Sequence, residues 1–458
     1  MSNFWKDWNY RNMANKLWDK GYDEDARIDA FTVGKDRELD LELAPYDILG
    51  TMAHITMLQS VGLLSKEELD ILLPELKVLY TAASEGKFEI EPDVEDVHSQ
   101  VELMLIRKLG DIGKKVHTGR SRNDQVLVDL KLFTRARIVK TVRKVESLFK
   151  TLQEASERYK DVLIPGYTHL QVAMPSSFGL WFGAYAESLT GDMTMLKAAW
   201  DIVNRNPLGS AAGYGSSAPL DRTLTTRLLG FDDLDYNSVY AQMTRGKMER
   251  AVAFAYSSVA ETIGRLAFDG CMYSSQNFGF VKLPDALTTG SSIMPHKKNP
   301  DVFELVRARC NKIMGVPNDI RLITGNLPSG YFRDMQILKE VFFPMFDELD
   351  DCLDIVEYAV KGMEVKTDVM SDPKYKLSFS VEKVNDLVSE GVPFRDAYRQ
   401  VAASIAEGTF EYSGKLSHTH EGSIGNLCND KVAVRMEKLI SGFGFDKVET
   451  AIKTLLSF

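Results

Sequence analysis

The sequence predicts an all-α fold organised around a central bundle of five long helices. Apolar residues recur at helical spacing over unusually long runs, short Gly/Pro clusters separate those runs, and strand-like alternation is rare. Long helices with short joins make an elongated bundle. With 458 residues and 44% hydrophobic content, the chain can bury a core large enough for several units. The pattern divides it into a small helical unit over 1–110, the bundle over 111–362 and a smaller helical unit over 363–458.

The first unit is polar at its start and then helical. Tyr46, Leu49, Ala53, Ile55, Met57 and Leu58 mark one helix, and Leu69, Leu72, Leu73, Leu76 and Leu79 mark a second. Ser65 followed by Glu67 and Glu68 signals the start of that second helix. Another begins in the run from Asp93 to Glu102 and ends near Gly110 and Gly113.

The bundle's first helix shows apolar residues at Val126, Leu130, Phe133, Ile138, Val142, Val145, Phe149, Leu152 and Tyr159. Four further long patterns follow: from Pro175 to about Arg205, Tyr240 to Ser274, Pro300 to Ile323, and Met335 to Gly362. Phe178, Leu180, Trp181, Phe182, Tyr185 and Ala186 nearly encircle their helix, which predicts burial against other subunits and hence an oligomer. Beyond Gly362, helices are expected at Val381–Ser389 and Phe394–Gly408, followed by a polar tail.

A net charge of −10 argues against nucleic-acid or anionic-membrane partners, although cations gathered locally can still hold an anionic substrate. The first ten residues contain no apolar leader, and no stretch reaches membrane-spanning length, so a cytoplasmic protein is expected. Cys271, Cys310, Cys352 and Cys428 form no C-x-x-C pair, which fits buried thiols in a reducing compartment. His418 and His420 lie one residue apart in a polar turn and belong to no recognisable metal-ligand set.

The densest chemistry lies in Gly290-Ser291-Ser292-Ile293-Met294-Pro295-His296-Lys297-Lys298-Asn299-Pro300. Gly290 offers hinge freedom, and Asn299 with Pro300 predicts the cap and first position of a helix. A hydroxyl near two ammonium groups and free backbone donors can be stabilised as an alkoxide, so Ser291 or Ser292 could serve as a base. A solvated Ser/Lys loop capping a helix is the plainer reading of the same residues.

Three further stretches could bind or move protons. His117-Thr118-Gly119-Arg120-Ser121-Arg122-Asn123-Asp124-Gln125 offers directional donors for carboxylates, or else only caps the helix through Asn123 and Asp124. His169, in the Gly/Pro-bounded loop Gly166-Tyr167-Thr168-His169-Leu170-Gln171, needs a partner carboxylate, for which Glu304 is a candidate. Tyr331, Gln336 and Lys339 lie at the start of the last long helix, with Gln336 and Lys339 on one face.

These stretches carry a family resemblance. Gly-Ser-Ser-x-Met-Pro-x-Lys-x-Asn-Pro matches the signature of the fumarase/aspartase superfamily. His-Thr-Gly-Arg-Ser-Arg-Asn-Asp-Gln-Val and Pro-Gly-Tyr-Thr-His-Leu-Gln closely resemble the argininosuccinate lyases, and the similarity runs from about Lys16 to about Val401. The resemblance implies a three-domain, all-helical subunit assembled as a homotetramer, with each active site built from three subunits. It implies reversible β-elimination of argininosuccinate to fumarate and L-arginine, the last step of arginine biosynthesis, with neither metal nor organic cofactor. It further implies Ser291 as the base, Lys297 and Asn299 holding a carboxylate, and His169, oriented by Glu304, managing the leaving group's proton. Which of Ser291 and His169 takes a proton and which gives one stays open at this point. Asn123, Thr168, Tyr331, Gln336 and Lys339 match substrate-binding positions, with Arg122 a further contact.

The chain departs from the family pattern in three places. Asp36 stands where a substrate-contacting serine is usual. Arg245 is kept, but its segment, Asn237 to Gly246, lacks the usual acidic companions. His296 replaces a common glutamine and is more typical of the adenylosuccinate branch. A lyase acting on adenylosuccinate would need a phosphate-binding cluster that the sequence does not display. A non-enzymatic role, as in lens crystallins resembling this family, would tolerate loss of the catalytic positions, and all of them are present.

Overall fold

The computed structural model describes residues 26–458; the N-terminal stretch without an apolar leader lies outside them. Two short helices, α1 (Ala26–Val33) and α2 (Asp36–Asp40), lead into α3 (Ala44–Ser60), α4 (Lys66–Ser84) and α5 (Val97–Leu109). Ser65 starts α4 as the sequence predicts: its Oγ accepts the Glu68 N–H at 3.2 Å, while its own N–H donates to Glu68 Oε2 at 3.0 Å.

The five long helices are α6 (Arg122–Arg158), α7 (Phe178–Val203), α10 (Lys247–Ser274), α11 (Asp301–Ile323) and α12 (Leu338–Gly362). Two short helices, α8 (Arg222–Leu228) and α9 (Ser238–Met243), interrupt the return from α7 to α10. At 37 residues, α6 is about 55 Å long. It packs on α7 and α12, α10 lies against α7, α11 and α12, and the bundle closes on itself.

Aromatic edges fill its centre, with Phe346 meeting Phe133 at 5.5 Å, Tyr256 at 5.0 Å and Phe342 at 4.8 Å between ring centroids. The Tyr256 hydroxyl donates to Thr141, which donates to Asp350 Oδ1, so both buried hydroxyls are satisfied in series.

Three local expectations are corrected. The stretch around His169 is an antiparallel hairpin, β1 (Leu163–Thr168) and β2 (Gln171–Ser177), not an irregular loop. Helix α11 begins at Asp301, because Asn299 forms a bridge with Thr289 and does not cap the helix. Phe178, Trp181, Phe182, Tyr185 and Ala186 are buried inside the subunit, against α6, α10 and the hairpin, so their all-round pattern needs no partner chain.

The chain end also differs from a polar tail. Helices α13 (Ser380–Ser389) and α14 (Phe394–Ala406) surround a small core of Val384, Ala397, Val401 and Phe410. Beyond them, α15 (Asn429–Ser441) and α16 (Phe445–Ser457) return to the main core through Val432, Met436, Phe443 and Leu455. All four cysteines are free; Cys310 and Cys352 are buried and the other two half-buried. Among the described residues, no helix is long and apolar enough to cross a membrane.

Candidate functional site

A cavity of about 250 Å³ opens where α2, the starts of α5 and α6, the turn before α10 and the approach to α12 converge. Arg122, Asn123, Tyr331, Gln336 and Lys339 all line it, together with Asp36, Asp40, Glu95, Asp96, His98, Arg245 and Arg333. The fold therefore gathers five sequence-selected residues from stretches more than 200 positions apart.

Local structure explains the placement. Ser121, not Asn123 or Asp124, caps α6: its Oγ accepts the Asn123 N–H at 3.2 Å, and its N–H donates to Asp124 Oδ1 at 2.9 Å. Asp124 Oδ2 accepts the Gly209 and Ala211 N–H groups at 2.9 and 3.0 Å, tying this end of α6 to the strand-poor return loop. Arg122 and Asn123 thus occupy the first helical turn, where backbone dipoles favour an anion. Arg122 is braced by Glu95 at 3.2 Å, Asp96 at 3.1 Å and Ser99 Oγ at 2.6 Å. Arg120 turns away, buried against Thr51 and the Val116 carbonyl.

On the opposite wall, the Gln336 amide donates to the carbonyls of Thr32 and Val33 at 2.8 and 3.1 Å. Lys339 is buried between Asp36, at 2.7 Å, and Asp40, at 2.5 Å. Burial opposes its charge, but the two carboxylates outweigh burial and raise its pKa. Burial also pushes the Asp36 carboxyl up to about 6, against the pull of Lys339. Arg245 does have an acidic companion, Glu249 at 3.1 Å one helical turn on, and it also donates to the Met335 carbonyl.

Glu95, Asp96, His98 and Arg333 also line the cavity, and the motif reading passed over them. The signal was the carboxylate pair preceding a histidine at a helix start, Glu95-Asp96-Val97-His98, which reads first as an N-cap. Asp96 does cap α5, accepting the Ser99 N–H at 2.8 Å, while also meeting Arg122.

Beneath the cavity, His98 Nδ1 lies 2.8 Å from Asp47 and 3.4 Å from Asp129. These three are the described residues whose ligand-type atoms cluster within 4.8 Å. Burial, with the Asp47 carboxylate beside it, pushes the Asp129 carboxyl well above the usual carboxylate range.

The remaining selected residues lie outside this lining. Thr168 and His169 are exposed at the hairpin tip, where His169 and Leu170 adopt φ of 55° and 57°. Two consecutive left-handed residues make the tight turn that twisted hairpins favour, yet neither is glycine, at a cost of about 1–3 kcal/mol each. Strain of this kind concentrates at functional sites.

Ser291 is half-buried in an otherwise exposed loop, its Oγ accepting N–H groups of Met294 at 3.1 Å and Ile293 at 3.4 Å. Lys298 pairs with Asp285, whereas Lys297 is exposed and forms no ion pair among the described residues. Asn299 donates weakly to Thr289 Oγ1 and the Gly290 carbonyl, both at 3.4 Å. Glu304 is exposed on the first turn of α11 and makes no hydrogen bond to His169 within the subunit.

The helical bundle thus carries a cavity lined by four acids and four basic side chains, with a hydroxyl-bearing loop just before α11. The family described as "Lyase" matches residues 4–315. The chain is 64% identical to the argininosuccinate lyase of Parabacteroides distasonis, over 97% of this chain and 100% of that one. It is 40% identical to the argininosuccinate lyase of Thermotoga neapolitana, covering 85% of this chain and 98% of that one. The chain belongs to the argininosuccinate lyase family. Its fold is similar to that of an EDDS lyase variant with bound fumarate, with a TM-score of 0.74 at 22% identity over 94% of this chain and 95% of that one.

Proposed function

We propose that this protein catalyses the reversible β-elimination of argininosuccinate to fumarate and L-arginine in the cytoplasm, as a homotetramer whose active sites draw on three subunits. The observation that carries the reading is the division of labour on the surface. One cavity gathers Arg122, Asn123, Tyr331, Gln336 and Lys339, while Ser291, Lys297 and Asn299 sit on a largely exposed loop and Thr168 and His169 at an exposed, strained hairpin tip. Neighbouring copies that present those two projections to the cavity complete the site.

The chemistry follows from the groups. A base removes a weakly acidic proton next to a carboxylate, and the intermediate carries extra negative charge on that carboxylate. Stabilising such charge with preorganised donors is usually the largest catalytic contribution. Ser291 takes the role of base: the Ile293 and Met294 N–H groups already point at its oxygen and would stabilise an alkoxide. Lys297 and Asn299 meet the substrate carboxylate as the loop closes and excludes water. His169, with Glu304 brought to it from another subunit, manages the proton of the guanidinium leaving group. Arg122, Asn123, Thr168, Tyr331, Gln336 and Lys339 position the substrate.

Assembly is supported by apolar side chains left exposed on the bundle. Phe254, Phe268, Leu305, Leu322 and Tyr358 are each about half exposed or more, and soluble subunits rarely leave such a surface uncovered.

The test is fumarate formation, followed by ultraviolet absorbance, from argininosuccinate and separately from adenylosuccinate. Signal with argininosuccinate alone is expected; signal only with adenylosuccinate would overturn the substrate, and silence with both the activity.

A further inference from the structure

We propose that Asp36 is a positioning residue that holds Lys339 with Asp40 and competes with substrate carboxylate for it, so that substrate binds more weakly as Asp36 ionises. The inference rests on the function proposed above and adds a determinant of substrate affinity in this cavity.

Lys339 is buried, and its ammonium lies within hydrogen-bond distance of both carboxylates. Asp40 is itself buried, and it also accepts the Val97 N–H at 3.3 Å, which fixes it to the start of α5. Among the described residues Asp36 has no second ion-pair partner, and it lines the cavity. It is therefore the carboxylate that an incoming one meets in competition for the same ammonium. A serine there would offer a donor in place of a charge, so Asp36 reverses the electrostatic sign of one wall position.

The surrounding charges make this position decisive. The lining holds four acids, Asp36, Asp40, Glu95 and Asp96, against four basic residues, Arg122, Arg245, Arg333 and Lys339, with His98 beneath. Arg122 and Arg333 are engaged by Glu95, Arg122 also by Asp96, and Arg245 by Glu249. Outside the cavity Lys35 faces Glu340 at 3.8 Å. Protonating Asp36 leaves three acids against those four cations and frees one side of Lys339, favouring an anion. Its carboxyl, pushed up by burial to about 6, makes that change near neutral pH.

The experiment compares the pH dependence of KM for argininosuccinate in the wild-type enzyme, Asp36→Asn and Asp36→Ser. In the wild type, KM should rise about fivefold or more between pH 6 and 8, since each unit above a pKa lowers the protonated fraction up to tenfold. Both variants should show a lower KM at pH 8 and a flatter profile, with the change falling on KM more than on kcat. Parallel KM profiles in active wild-type and variant enzymes overturn the proposal alone. A flat wild-type profile does the same without reference to any variant. Silence of the wild type with argininosuccinate removes the function proposed above, and this inference with it.

Discussion

Asn299 and Thr289 clasp the base of the serine loop through their backbones: the Asn299 N–H donates to the Thr289 carbonyl at 2.8 Å and the Thr289 N–H to the Asn299 carbonyl at 3.2 Å. The residues between them form a closed projection that can change position without unwinding α11, because that helix begins only at Asp301. Asn299 therefore serves the loop rather than the helix.

Ser291→Ala should lower kcat by about 10²–10⁴-fold, the usual contribution of a positioned acid or base. The side chain reaches only backbone N–H groups of its own loop, so the thermal midpoint should stay close to that of the wild type. Steady-state kinetics and a melting curve on the same preparation check both halves. Turnover within twofold of wild type would remove the serine-base assignment.

A mixture of two inactive proteins tests sharing of the site. Ser291→Ala and His169→Asn proteins, dissociated together and reassembled, should regain part of the wild-type activity if sites are shared as proposed, because some hybrid sites then receive native Ser291 from one subunit and native His169 from another. Activity no higher than in the separately treated parents would argue that each chain supplies its own serine and histidine.

Much of this architecture was legible because long amphipathic helices announce themselves. The run from Val126 to Tyr159 needed only its period to be read, and α6 covers Arg122–Arg158. Residues whose signal depends on context were harder. Asn299-Pro300 reads as a cap and first turn, but local propensity cannot show that Asn299 is committed to pairing with Thr289. His169 and Leu170 carry no glycine-based turn signature, and the left-handed backbone, though known for histidine, is rare for leucine. The tail around Val432 and Met436 looked polar because a short helix with one narrow apolar stripe leaves most positions polar or charged. In the cavity, the five motif residues could be picked from sequence. Their partners Glu95 and Asp96 were passed over, because a carboxylate that braces an arginine looks the same as a helix cap.

The buried His98–Asp47 pair should make stability depend on pH in a defined direction. Burial would depress the His98 imidazole, but Asp47, with Asp96 and Asp40, outweighs burial and holds it above its ordinary 6.5. Burial would likewise raise Asp47, yet His98, Arg120 and Gln125 hold it below its ordinary 3.8. A raised histidine stabilises fully below its unfolded value and loses that contribution as pH rises through its folded one. A depressed aspartate stabilises above its unfolded value and loses that as pH falls through its folded one. The pair therefore contributes most between 3.8 and 6.5. His98→Gln should cost about 3–5 kcal/mol there, since it strands buried acid, and less at alkaline pH. Urea unfolding from about pH 5 to about pH 9, a span that covers the loss of a histidine's charge, reads the difference; a constant penalty would sink the assignment.

Two glycines of α7 should respond oppositely to alanine. Gly179 lies where α7 starts against the end of α6; a Cβ there would stand 2.5 Å from Lys160 Cα and 2.7 Å from the Ser156 carbonyl oxygen. Both obstacles are backbone, and the same contact is fastened by the Ser156 hydroxyl donating to the Gly179 carbonyl at 2.7 Å. No side-chain rotation can relieve the clash, so the helices must separate, and Gly179→Ala should destabilise by about 1–3 kcal/mol or more. Gly191 is exposed in the middle of the same helix, with nothing within 4 Å of an added Cβ. Alanine there removes backbone freedom from the unfolded chain without strain, and Gly191→Ala should stabilise by about 0.4–1 kcal/mol. Urea midpoints at one fixed protein concentration distinguish them. If Gly179→Ala is neutral, close backbone approach does not set the α6–α7 contact; if Gly191→Ala destabilises, that exposed position is occupied by a neighbouring subunit.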